Sequence, residues 1–190
     1  DAQKRYSQMA NIASEHFAKT FWNEAEQCLF DVVTNGHRDG AVRPNQIFAV
    51  SLKNAILTDA EKAEKVVEKV EKELLTPVGL RSLASGDSQY CPLYIGSPFK
   101  RDSCYHQGTV WGWLIGGFVD ALRKTSENEE ETEAKIAEIL KGFEAHLTEA
   151  GVGQISEIFD AAAPFNPRGC FAQAWSVAEV LRVYAGDSSA

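Results

Sequence analysis

Residues 105–122 read YHQGTVWGWLIGGFVDAL. Three polar side chains, Tyr105, His106 and Gln107, lead into a segment where Val110, Trp111, Trp113, Leu114, Ile115, Phe118, Val119, Ala121 and Leu122 cannot share one helical stripe. A helix that is apolar all round has protein on every side. The stretch predicts a buried helix over 107–123 with a polar group at its mouth.

Working outward, the neighbouring helices alternate in kind. Residues 3–21 place Tyr6, Ala10, Ala13, Phe17 and Phe21 at helical spacing with polar residues between them, the pattern of a surface helix. Residues 27–43 hold an Asn35-Gly36 turn between short β-prone stretches and predict a small hairpin. Pro44 suits a first helical turn, and 44–56 is apolar on several faces. A capping box from Thr58 to Glu61 predicts a helix carrying Ala60, Ala63, Val67, Val70 and Leu74 on one face, ended by Pro77 and Gly79. A second box, Ser126 to Glu129, opens a helix with Ile136, Ile139, Leu140, Phe143 and Leu147 in a stripe. The acidic run at 127–133 is then the solvated N-terminus of that helix, facing its macrodipole. Residues 170–185 again read as apolar on all sides.

One-striped helices can cover a single neighbour, whereas all-round apolar ones need contacts on both sides. The alternation therefore predicts an all-α domain over 1–190, built as three outer–inner hairpins forming an arc, with the β-hairpin inserted. The connections 22–43, 76–106 and 148–170 are long and all precede inner helices. Loops of that length in a compact domain are usually functional.

The net charge of −8 argues against nucleic acid and anionic membranes as partners, and no segment is long enough to cross a bilayer. The chain lacks a secretory signal segment and a starting Met, and reads as a processed or cut piece of a cytoplasmic protein. Cys28, Cys91, Cys104 and Cys170 are widely spaced without a metal-binding pattern, so reduced thiols are the preferred reading; Cys91 and Cys104 also stand close enough in one loop to pair. No metal or cofactor is expected.

Each inner helix is announced by polar residues: Arg43, Asn45 and Gln46; Asp102, Tyr105, His106 and Gln107; Arg168 and Gln173. Together with Trp111 they would converge on one mouth whose planar donors, acceptors and rings suit a neutral, hydroxyl-rich ligand such as a sugar. Each has a plainer reading too. Arg43 could tie loops together, Asn45 and Gln46 could serve the helix start, His106 could be a satisfied core histidine, and Trp111 could be core. Three such clusters at one end favour a site. In GQISEIFD, 153–160, Glu157 stands between apolar residues that would pin its turn, and is the candidate general base.

The segments RPNQIFAVSL (43–52), ELLTPVGLRSL (73–83), RDSCYHQGTVWGWLIGGFVDAL (101–122), ISEIFD (155–160) and RGCFAQAWSVAEVLR (168–182) resemble the C-terminal, amylo-α-1,6-glucosidase part of glycogen debranching enzymes. The resemblance implies an (α/α)6 barrel, of which these residues would be the second half. It implies hydrolysis of α-1,6-linked glucose in glycogen or a branched α-glucan with inversion, Glu157 acting as base and the acid lying in the absent half. A trehalase- or glucoamylase-like glycosidase, or a non-catalytic carbohydrate-binding module, is the alternative. Two positions depart from the family: Gly112 stands where Pro is usual, at some cost in helix propensity, and Ala161 where Gly is usual. Inner faces left open by a half-barrel are candidates for self-association.

Overall fold

The computed structural model describes residues 1–186; the last four residues of the predicted domain lie outside the described residues. Helix α1 (Ala2–Phe21) opens on Asp1, whose carboxylate accepts from the Gln3 amide. Only the end of its predicted stripe packs: Phe17 and Phe21 stack on each other and against the core, while Tyr6 is 65% exposed and Met9 54%. A short pair follows, β1 (Trp22–Asn23) with β2 (Cys28–Leu29). The predicted hairpin is β3 (Val32–Thr34) and β4 (His37–Asp39), joined by Asn35 and Gly36. Both turn residues have positive φ, 42° and 83°, as a turn matched to the strands' twist requires.

The helix predicted over 44–56 is much shorter. A 3-10 turn (Pro44–Ile47) runs into α2 (Phe48–Ser51), after which Leu52 is extended. The Lys124 ammonium donates to the Ser51 and Leu52 carbonyls, satisfying backbone groups that a continuing helix would have used. Helix α3 (Ala60–Leu74) buries Ala63, Val66, Val67, Val70 and Leu74. Its cap is Asp59 rather than Thr58, with the Lys62 amide 3.1 Å from the Asp59 carboxylate.

The largest departure from the all-α expectation is a five-stranded antiparallel meander. Its strands are β5 (Leu75–Thr76), β6 (Gly79–Arg81), β7 (Val110–Trp111), β8 (Ile158–Phe159) and β9 (Pro167–Arg168). Strands of two or three residues are too short to show alternation, which is why the sequence does not announce them. Between β6 and β7 lies α4 (Pro98–Cys104), also unannounced.

The central helix α5 (Leu114–Thr125) is buried at every position from Leu114 to Leu122. It begins seven residues later than predicted, because Val110 and Trp111 are spent in the sheet. Gly112 thus precedes the helix and costs it nothing. Helix α6 (Glu129–His146) is capped by Asn128, not Ser126, and buries Ile136, Leu140 and Phe143. Helix α7 (Ala174–Tyr184) buries only Ser176, Val180 and Val183; Trp175, Leu181 and Tyr184 are exposed, against the expectation of an all-round buried helix.

Helix α5 packs against α2, α3, α6 and α7, while α3 also meets the 3-10 turn and α6 meets α7. The domain is thus helical with small sheets, its core centred on α5. A buried ion pair joins α5 to α7: Arg182 meets both oxygens of Asp120 at 3.0 and 2.9 Å. The cysteine expectation is corrected in part. Cys91 and Cys104 form a disulfide, whereas Cys28 (buried) and Cys170 (exposed) are free. Among the described residues no helix is long and apolar enough to cross a membrane.

Candidate active site

The 3-10 turn with the residue before it, the stretch from His106 through β7 to the start of α5, and the first half of α7 converge on a cavity of about 660 Å³. Arg43 and Asn45 line it from the first, His106, Trp111, Trp113 and Leu114 from the second, Trp175 and Glu179 from the third. Of the side chains picked from the sequence, Arg43, Asn45, His106 and Trp111 thus border it directly.

Arg43 does what its plainer reading foresaw and more. Its Nη1 donates to the carbonyls of His106 (2.6 Å) and Ser82 (3.1 Å), and its Nη2 to Gln107 Oε1 (2.7 Å). Its Nε lies 3.4 Å from Asp31. One guanidinium therefore ties the hairpin region, the end of β6 and the polar group at 106–107 into one wall. The Asn45 amide donates to Asp31 at 3.2 Å, and Gln107 continues the chain to Gln89 at 3.1 Å. Gln46 points elsewhere: it is buried, accepts from the Leu29 amide and donates to the Arg43 carbonyl. That is helix-start chemistry.

An aromatic cluster forms the next layer. The His106 ring lies parallel on Trp111, 5.2 Å between centres and 3° between planes. The Tyr105 ring stands edge-on to both at 4.9 Å. The Trp111 indole N–H donates to the Tyr105 carbonyl at 3.3 Å, and the Thr109 hydroxyl donates to the same oxygen. Burial, then the Arg43 charge, holds the His106 imidazole below its ordinary titration range. It therefore presents a neutral ring with one donor and one acceptor near neutrality.

Glu157 lies behind this cluster, at the entry to β8. Ile155, Ile158 and Phe159 are all buried and pin the turn, as their apolar character predicts. One oxygen, Oε1, accepts from the Tyr105 hydroxyl; the other, Oε2, accepts from the Cys170 amide at 2.9 Å. The Glu157 amide in turn donates to the Cys170 carbonyl at 2.8 Å. This close approach depends on Gly169, with φ of 66°: a Cβ there would stand 2.5 Å from Glu157 Oε2. Asp102 is exposed on α4, and its charge, with that of Glu157, opposes ionisation of Tyr105.

The nearby Asp160 is a different kind of carboxylate. It is fully buried, holds the Arg168 guanidinium at 3.0 and 2.7 Å, and accepts from the Tyr94 amide at 2.8 Å. Its lone pairs are consumed in building the sheet.

Trp113, Trp175 and Glu179 also line the cavity and were not singled out as site residues by the sequence reading. Trp113 and Trp175 sit 6.4 Å apart, and Phe48 stacks on Trp113 at 5.7 Å, so an aromatic row crosses the starts of α2, α5 and α7. Trp175 reads as core in any periodicity scheme, and only its 50% exposure reveals otherwise. Glu179 accepts from Arg182 at 2.8 Å and nests against Gly116, whose lack of a side chain gives it room. No group of His, Cys, Asp and Glu among the described residues could hold a metal ion.

A family model described as amylo-alpha-1,6-glucosidase matches residues 1–182. The glycogen debranching enzyme of Saccharomyces cerevisiae is 32% identical over 92 residues, which is 45% of this chain and 6% of the yeast protein. The chain thus aligns with a small fraction of that relative's length.

Proposed function

The chain belongs to the amylo-alpha-1,6-glucosidase family, and on that premise we propose that its mouth takes part in hydrolysing α-1,6-linked glucose at branch points of glycogen or a similar α-glucan. The observation that carries this reading is the Glu157 carboxylate, held at both oxygens beside the aromatic cluster that borders the cavity. Glu157 is the general base: it draws a proton from the attacking water, whose oxygen joins the anomeric carbon from the face opposite the leaving glucan.

Asn45, His106 and Trp111 meet the sugar, offering an amide, a neutral imidazole and a flat apolar face, and Arg43 holds the wall that carries them. Inversion requires a second carboxyl group about 6.5–9.5 Å from the base, protonated when the substrate binds. Glu179 does not suit that part, since its Oε2 is already engaged by the Arg182 guanidinium. We assign the acid to the other half of an (α/α)6 barrel, in which α2, α5 and α7 form inner wall and α1, α3 and α6 outer wall.

The test is glucose release from a branched limit dextrin. The 190-residue chain alone should release none, and the complete polypeptide that carries it should be active. Glu157→Gln in that polypeptide should lower turnover by about 10²–10⁴-fold while sparing substrate binding, because Gln keeps the shape but accepts no proton. Near-normal turnover in the variant would remove Glu157 from the role. Binding of glucan without turnover by the complete polypeptide would favour a carbohydrate-binding module.

A further inference from the structure

The residue that touches Glu157 most closely is one expected to contact the sugar. The Tyr105 hydroxyl is directed instead into the protein, onto Glu157 Oε1. Every other part of Tyr105 is also fixed. Its carbonyl takes two hydrogen bonds, from Thr109 and Trp111, and its ring is wedged against His106, Trp111 and Tyr94. The preceding residue, Cys104, is bonded covalently to Cys91. On the far side of Glu157 the Gly169–Cys170 turn supplies an amide to Oε2.

We infer that Tyr105 is a positioning residue for the Glu157 carboxylate, gripping one oxygen while the Gly169–Cys170 turn grips the other. The inference rests on reading Glu157 as the base. A carboxylate with three unconstrained torsions samples many orientations, and a base works only where one lone pair faces the attacking water. A rigid phenol on one side and a backbone amide on the other fix the plane of the carboxylate and leave its remaining lone pairs for water. Burial, then the hydrogen bond to Glu157 and its charge, hold the phenol well above its ordinary range, so it stays a donor throughout the working pH range. The other charged or titratable groups around the pair are His106, Tyr94, Asp102 and the Cys170 thiol, with Arg101 over the Tyr94 ring.

Two measurements test this. The first needs only the 190-residue chain and no activity. Titrated through the alkaline range by tyrosinate absorbance, the native chain should leave Tyr105 protonated after the exposed tyrosines have ionised, a deficit assigned by its absence in Tyr105→Phe. Glu157→Gln should return Tyr105 towards the ordinary range. An unchanged titration in Glu157→Gln overturns the pairing.

The second uses the complete polypeptide. Tyr105→Phe keeps the ring and its stacking, and its thermal midpoint should stay near that of the parent. It should lower kcat about 10–100-fold with KM within about threefold, as expected for a misplaced base. A merely structural role would lower the thermal midpoint or raise KM together with any loss of kcat. If Glu157→Gln is inactive while Tyr105→Phe matches the parent in kcat, Tyr105 is not a positioning residue and the base assignment stands. If Glu157→Gln is active, the base assignment itself falls.

Discussion

His106 shows how one residue can serve the site only while uncharged. Its ring lies flat on Trp111 with the Arg43 guanidinium bonded to its own carbonyl, and its titration falls below the ordinary 6.5. The unfolded chain takes a proton near that ordinary value and the folded chain resists it. His106 therefore contributes stability that is complete above about pH 6.5 and declines as pH falls towards the folded value. The effect is modest, since the ring edge reaches solvent. Urea midpoints should drop between pH 7 and 5, and His106→Gln, which takes up no proton there, should show a shallower drop; identical slopes would show that His106 is not the group responsible. At this scale the sequence was partly readable. The pinning of the Glu157 turn by its apolar neighbours was legible, and so was the helical turn opened by Pro44. The direction of the Tyr105 hydroxyl and the burial of Gln46 were not, since both are decided by partners 52 and 17 residues away.

Among the elements, helix starts are instructive. Both predicted capping boxes begin at a plausible hydroxyl, Thr58 and Ser126, yet the caps are Asp59 and Asn128. Side chains that compete for the same amides lie one and two residues apart, and sequence spacing alone does not rank them. The Asn128 cap accepts from the Glu131 amide at 3.2 Å, so Asn128→Ala should cost about 1 kcal/mol while Asn128→Asp should cost far less, measured by urea unfolding. Equal stability of all three proteins would mean that α6 is capped otherwise. The amphipathic helices were legible from their stripes, α3 and α6 most clearly. The five-stranded meander was not, because its register depends on β6, β7 and β8, which are separated by long stretches of chain. The two short inner elements lost length for the same reason: residues that look helical in isolation are recruited by the sheet or released to Lys124.

Across the whole molecule, apolar surface is unevenly shared. Helix α5 is sealed on all sides, yet α7 turns Leu181 and Tyr184 outward on one face at 63% and 66% exposure. Such a face seeks cover. The 190-residue chain should sediment with concentration-dependent self-association, and Leu181→Glu should shift it towards monomer; a parent that stays monomeric at high concentration would show that the face tolerates water. The alternation of helix types matched the burial of α5 and the single buried faces of α3 and α6, and overstated burial for α7, because the pattern reports what a helix could cover and not what is present to cover it. The hub position of α5 also bears on how the protein is made. Its contacts reach back to α2 and forward to α7, so at the ribosome the most deeply buried helix emerges well before its last partner. Until residues 174–184 have cleared the exit tunnel, one flank of α5 lacks its neighbour, and it is there that a chaperone would find the half-made chain.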